Sequence, residues 1–252
     1  MKKTLLFLAL LGASLGAQSR EPVIVAAASD LVYCMEELNA AFARIRPTAD
    51  VTTSVGSSGT FFAQIRNGAP FDVYLSADMN FPRRLIAEKA ADANSLTPYA
   101  IGRIVVWTMR ADLDIKAGIR SLVSPAVNRI AIANPEHAPY GRTAKAAMQN
   151  AGIWKDVESK VVMAENISQA RQFVQTGNAE IGIIALSLAM APAMKGVGQY
   201  VLVPEDVHPR LEQGAVLTKQ GAKNPAAKAY MDFLKSRQAR LIFEKYGFVL
   251  PK

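Results

Sequence analysis

Two apolar strands run straight into small hydroxyl residues that open a helix, one in VIVAAASD at 23–30 and one in VTTSVGSSGT at 51–60. A strand that passes into a helix with no spacer commits the chain to layered α/β architecture, because the helix must fold back over the sheet it leaves. The junction also sets a chemistry. A helix N-terminus leaves backbone N–H groups unpaired and carries roughly half a positive charge, so two of them aimed at one point hold an oxyanion without any lysine.

The alternation continues along the chain. Residues 23–28 read as a strand and 31–45 as a helix, with Leu31, Met35, Leu38, Phe42 and Ile45 at helical spacing and Pro47 ending it. A strand at 51–55, a short helix at 61–66, a strand at 72–75 and a helix at 82–90 follow. That order predicts a parallel sheet with helices on both faces. A second unit begins near Ile101, with strands at 103–108, 129–133, 160–164 and 181–185 and helices at 142–150 and 167–176. Residues 201–218 read as extended chain, and 225–246 as one helix carrying Ala229, Phe233, Leu241 and Phe243. The expectation is an α/β protein of two lobes, 20–100 with 204–252 and 101–203, each a mostly parallel sheet flanked by helices. Two crossings between the lobes, near 100 and near 203, would form a hinge.

Residues 1–19 read as a secretory signal: Lys2 and Lys3, an apolar run at 5–11, then small residues at 12–17. Cleavage is expected after Ala17, with Ser19 the second choice. The run is shorter than the ~20 residues of a membrane span, so a soluble, exported periplasmic chain is expected. The one cysteine, Cys34, is too far downstream for a lipid anchor and excludes an internal disulfide, so stability must come from the core.

The formal charge is +8, or about +6 once Lys2 and Lys3 are removed. Lys and Arg are scattered, with no basic run and no clustered aromatics, which argues against nucleic-acid binding. A positive field of this size either steers small anions toward a cleft or simply keeps the chain soluble. GSSG at 56–59 is not the G-x-S-x-G elbow of hydrolases, and neither a phosphate-binding G-x-x-x-x-G-K-[ST] loop nor a dinucleotide fingerprint follows the first strand. His137 and His208 each stand alone, so no metal-cation site and no catalytic cluster is expected.

AAAS at 26–29, GSSGT at 56–60, QIRNGAPFDVYLSAD at 64–78, NPEHAPYG at 134–141 and FEKYGF at 243–248 together resemble the periplasmic molybdate-binding proteins of ABC importers, within the type II periplasmic binding proteins. The resemblance runs from about Pro22 to the C-terminus, with GAPxDVxxSAD its most specific part. It implies a hinge-closing binding protein that holds one tetrahedral dianion, molybdate or tungstate, between its lobes and docks on an inner-membrane ABC permease. No cofactor, no catalytic residue and a monomer are implied. Carried over by position, the oxyanion-binding residues would be Ser29, Asp30, Ser58, the backbone at Tyr140 and the backbone at Ile167. Many members place a tyrosine where this chain has Ala185; members that combine Pro-Tyr-Gly with alanine there also exist, and this chain reads as that variant.

Each residue has a plainer reading. Ser29 suits an ordinary N-cap, the preferred reading without the resemblance. Ser57, Ser58 and Gly59 could be a cap and turn, although a doubled serine before glycine leaves several N–H groups free in one nest. Asp30 would repel a dianion, so its N–H is expected to face the ligand and its side chain to lie outside, favouring the helix dipole. Arg142 reads as a surface residue first and an electrostatic helper second. Asp72 and Asp78 read as turn caps or lobe locks, with Asp78 a candidate at the hinge. The competing functions are a periplasmic lyase or dehydratase, for which only Asp30 and Arg142 could serve, and a binding protein for another oxyanion such as sulfate. A regulator's effector domain would need a DNA-binding helix-turn-helix, and none is present.

Overall fold

The computed structural model describes residues 20–251, and the signal expected at 1–19 lies outside them. The first sheet contains β1 (Glu21–Ala28), β2 (Ala49–Gly56), β3 (Val73–Ser76) and β4 (Thr97–Gly102), interleaved with helices α1 (Val32–Ile45), α2 (Ser58–Arg66) and α3 (Asn80–Ala87). The second contains β5 (Ile104–Thr108), β6 (Ile130–Ala133), β7 (Val161–Ala164), β8 (Ile181–Ala185) and β9 (Gln199–Leu202), with α4 (Pro139–Asn150), α5 (Trp154–Val157), α6 (Ile167–Gln175) and α7 (Leu186–Ala189). The chain then returns to the first sheet as β10 (Leu211–Leu217) and closes with α8 (Pro225–Leu234) and α9 (Arg237–Lys245).

Strand order is β2-β1-β3-β10-β4 in one lobe and β7-β6-β8-β5-β9 in the other. Three strands pair in parallel in each, and one reversed strand, β10 or β5, pairs antiparallel on both sides. In each lobe the reversed strand is the one by which the chain arrives from the other. Crossings fall between Gly102 and Ile104 and between Leu202 and Leu211. The stretch read from sequence as one extended run is therefore two strands in different sheets, separated by a helical turn at Glu205–Val207.

Helices cover the sheets with their apolar faces. In α1, Met35, Leu38 and Phe42 are buried as the spacing predicts, whereas Ile45 at the last turn is 59% exposed. The single C-terminal helix of the sequence reading is broken at Ser236, whose hydroxyl accepts from the Ala239 N–H and starts α9. The break turns Leu241 outward and puts Ile242 and Phe243 in the core. Phe42 of α1 packs against Tyr230 and Phe233 of α8 at ring separations of 5.0 and 5.5 Å, and Phe243 of α9 packs on Tyr99 of β4 at 5.2 Å. The tail thus completes the first lobe. Among the described residues no helix is long and apolar enough to cross a membrane.

Candidate functional site

Register places the site. β1 and β2 pair in parallel with Ala28 opposite Gly56, so the chain leaves both strands at one level, delivering Ser29 beside Ser57 and Ser58. In the other lobe Ala133 lies opposite Ala164, so the loops leading to Pro139 and Ile167 also emerge side by side. β1 and β6 are each flanked by the next two strands of the chain. That is the switch point of an open α/β sheet, where the crevice at the strand ends takes ligands.

The two crevices face each other. Ala28, Ser29, Asp30, Gly56, Ser57, Ser58 and Ala77 line one wall of a shared pocket, and Ala138, Pro139, Tyr140, Asn166 and Ile167 line the other. All five residues singled out from the sequence are here. The pocket is a small one, far short of the space a larger organic ligand needs. No Lys, Arg or His lines it.

Its polar groups are helix starts. α2 begins at Ser58 and α4 at Pro139, earlier than the starts at 61 and 142 read from the sequence, because Ser57 is already extended and Pro suits the first helical position. Ser58, Tyr140 and Ile167 therefore lie in first turns, and their N–H groups find no acceptor within the described protein. Asn166 caps α6 by accepting from the Gln169 N–H at 3.1 Å. The Ser58 hydroxyl accepts from the Ala77 N–H at 3.0 Å, which leaves its own proton to donate. Ser29 makes no capping hydrogen bond, so the plain N-cap reading does not describe it.

Asp30 departs from expectation. Its side chain is fully buried between the lobes, where Oδ2 accepts from the Tyr140 hydroxyl at 2.9 Å and from Gln213 Nε2 at 2.7 Å. Gln213 Oε1 in turn accepts from the Tyr99 hydroxyl at 2.7 Å, and Ser187 Oγ donates to the Asp30 carbonyl at 2.7 Å. Burial pushes the Asp30 carboxyl up to about 6, against the lowering effect of the Gln213 and Tyr140 hydrogen bonds. Burial and the Asp30 charge push the Tyr140 phenol up as well, so it stays a donor. The carboxyl lies inside because the tyrosine of Pro-Tyr-Gly reaches across from α4 to meet it, and the dipole of α1 is too weak a lure to hold it outside.

Arg142 is not a free surface residue. It donates to Asp78 Oδ2 across the cleft at 2.6 Å and lies over the Phe81 ring at 5.4 Å, while Asp78 Oδ1 accepts from the Asn80 N–H. Asp78 thus caps a turn and joins the lobes. Asp72 stays within one lobe, accepting from the Ile24 N–H at 2.8 Å. Ala185 is buried at the end of β8 and does not line the pocket.

The sequence model for bacterial extracellular solute-binding proteins matches residues 23–249 of this chain. The chain belongs to that family. Among relatives of this solute-binding protein, the molybdate-binding protein ModA of Rhodobacter capsulatus is 39% identical over 95% of this chain and 92% of its own, and ModA of Azotobacter vinelandii is 37% identical over 95% of each. The solved periplasmic molybdate-binding protein of Azotobacter vinelandii superposes with a TM-score of 0.86 at 32% identity, covering 91% of this chain and all of that one. The two-lobed fold implied by the resemblance is the fold of that structure.

Several members of this solute-binding protein's cleft are not legible from sequence. Gln213 sits in a stretch that reads only as extended chain, and Ser187 follows a strand with no motif. The resemblance points to the backbone at Tyr140 and not to its hydroxyl. Ser57 Oγ and the Gly59 N–H both donate to the His137 carbonyl, at 2.7 and 2.9 Å, a pairing between lobes that no local pattern announces.

Proposed function

We propose that this solute-binding protein captures molybdate or tungstate in the pocket between its lobes and hands it to an ABC permease. The observation that carries the proposal is a small pocket built from helix N-termini of both lobes, with serine hydroxyls and no cationic side chain. Its relatives named for molybdate binding support the same reading.

Ser29, Ser58 and the N–H groups of Ser58, Tyr140 and Ile167 would donate to the four oxygens, with the Asp30 backbone beside Ser29. Donors fixed by strand ends and helix starts suit a fully deprotonated tetrahedral dianion. Phosphate near neutral pH carries a proton, for which such a cage holds no spare acceptor of low cost, and sulfate is smaller than the cage would require. Ligand binding and closure reinforce each other, because the anion completes both half-sites only when the lobes meet. The crossings at 102–104 and 202–211 would serve as the hinge between lobes 20–100 with 204–252 and 101–203. A periplasmic location and a monomeric state follow the same reading.

The protein would act as a carrier without turning its ligand over. Arg142, which a lyase would need for a substrate carboxylate, is held by Asp78 at the rim and does not line the pocket. The test is isothermal calorimetry with molybdate, tungstate, sulfate, phosphate and small carboxylates. Binding of the first two alone supports the proposal, and preference for an organic acid overturns it.

A further inference from the structure

The serine-rich turn opening α2 does two separate jobs. Ser58 faces the pocket with its hydroxyl proton free, whereas the donors of Ser57 and Gly59 are already taken up by the opposite lobe. Ser57 Oγ and the Gly59 N–H converge on one backbone carbonyl, that of His137 in the opposite lobe, at 2.7 and 2.9 Å. The carbonyl thereby occupies part of the helix N-terminus that an anion would otherwise find open. His137 is itself held in place, since its ring Nε2 is 2.9 Å from the Glu165 carbonyl of the loop that starts α6. His137, through its carbonyl on one side and its ring on the other, therefore links the starts of α2 and α6 to the turn that opens α4.

Position 59 admits only glycine in this arrangement. A Cβ built there would lie 2.5 Å from the His137 carbonyl oxygen, 2.9 Å from its Cα and 2.9 Å from its Cβ, and these are the three nearest atoms. Two of the three are backbone, so no rotamer change relieves the contact. All three belong to the other lobe. Gly59 is helical and has no positive φ, so its backbone conformation does not demand glycine. Alanine is indeed the better helix former.

We propose that Ser57, Gly59 and the His137 carbonyl form a closure seam, distinct from the anion cage, that positions the second lobe on the first and sets how long the ligand is retained. The inference rests on the reading of the pocket as an oxyanion site. Ser57 and Gly59 are positioning residues: they act by letting the walls meet, and the cage donors stay intact when they are changed.

The test is Gly59→Ala and Ser57→Ala beside the wild type, with molybdate as the probe. Melting temperature with and without molybdate, stopped-flow association and dissociation rates, and the radius of gyration in solution are measured for each. Gly59→Ala is expected to melt without molybdate at or above the wild-type temperature, because the three atoms nearest the added methyl all belong to the other lobe and alanine favours the helix. It should nonetheless release molybdate at least about tenfold faster, with little change in association rate, and contract less when molybdate is added. Ser57→Ala, which removes one of the two donors without adding bulk, should show a smaller rise in release rate of roughly 3- to 10-fold. Wild-type release rates in both variants overturn the seam, as does a Gly59→Ala protein that melts well below wild type without ligand, since that would place Gly59 in the packing of its own lobe. A wild-type protein that does not bind molybdate overturns the functional reading instead, so the two failures are separable.

Discussion

Replacing Asp30 by asparagine isolates the effect of a carboxyl buried between the lobes with no cation beside it. Its ordinary value of 3.8 is raised to about 6, chiefly by burial, while Oδ1 has no hydrogen-bond partner in the described protein. A folded-state value above the unfolded one means that the native protein holds the proton more tightly. The stabilising contribution is complete below 3.8, is lost as pH rises toward 6, and is absent at neutrality. The difference between 3.8 and about 6 corresponds to about 3 kcal/mol. The nearby titratable groups are Cys34 on α1, Tyr99 on β4 and Tyr140 on α4, all of which burial holds in their neutral forms, so they do not titrate in this window. The substituted amide keeps an oxygen to accept from Tyr140 and Gln213 and does not titrate. Urea unfolding of both proteins without ligand, from about pH 4 to about pH 7, should therefore show the wild type losing roughly 2 kcal/mol of this relative to Asp30→Asn as pH rises. Taking the difference removes carboxylates common to both, such as Glu180, which backbone and Arg129 hydrogen bonds hold below its ordinary value. A difference that is flat across this range, or that grows in the opposite direction, refutes the reasoning.

Other perturbations test the same cleft. Ser58→Ala removes a hydroxyl that can donate to the anion and should weaken molybdate binding by about 1–3 kcal/mol in calorimetry. An unchanged dissociation constant removes Ser58 from the cage. Tyr140→Phe takes a donor from Asp30 Oδ2 and an acceptor from Gln213 Nε2, so it should lower stability by about 1–3 kcal/mol in urea unfolding, and a neutral result would show that the phenol is dispensable. Arg142→Ala breaks a partly exposed ion pair worth about 0.5–1 kcal/mol; affinity should fall severalfold at low salt and less at high salt, and a salt-independent loss would contradict the pairing. Gly102→Ala places a Cβ 2.2 Å from the Tyr140 hydroxyl and 2.7 Å from Gln213 Nε2, so it should disturb the buried network and lower the melting temperature by several degrees in calorimetry.

What the sequence makes legible here is what local pattern encodes. Strand-to-helix junctions are local, so Ser29, Ser58, Tyr140 and Ile167 can be placed at helix starts, and the structure brings all four to one pocket. Polarity across the cleft is not local. Asp30 reads as an outward residue because only its own helix can be consulted, whereas its partners come from positions 140 and 213. Arg142 reads as a surface residue for the same reason, Asp78 being 64 positions away. The break at Ser236 is hidden because apolar spacing continues on both sides of it, and a capping serine looks the same in sequence whether or not its hydroxyl turns to the next amide.

The position of β10 between β3 and β4 has a consequence for the order of folding. The second sheet is continuous in sequence and can consolidate as soon as residue 202 is present. Until residues 211–217 are added, the other sheet exists as two pieces with bare edges, and its central ladder cannot form. Chains truncated before that strand should therefore retain one cooperative unit and expose two sticky strand margins, which makes the last sixth of the polypeptide the step that decides between assembly and aggregation.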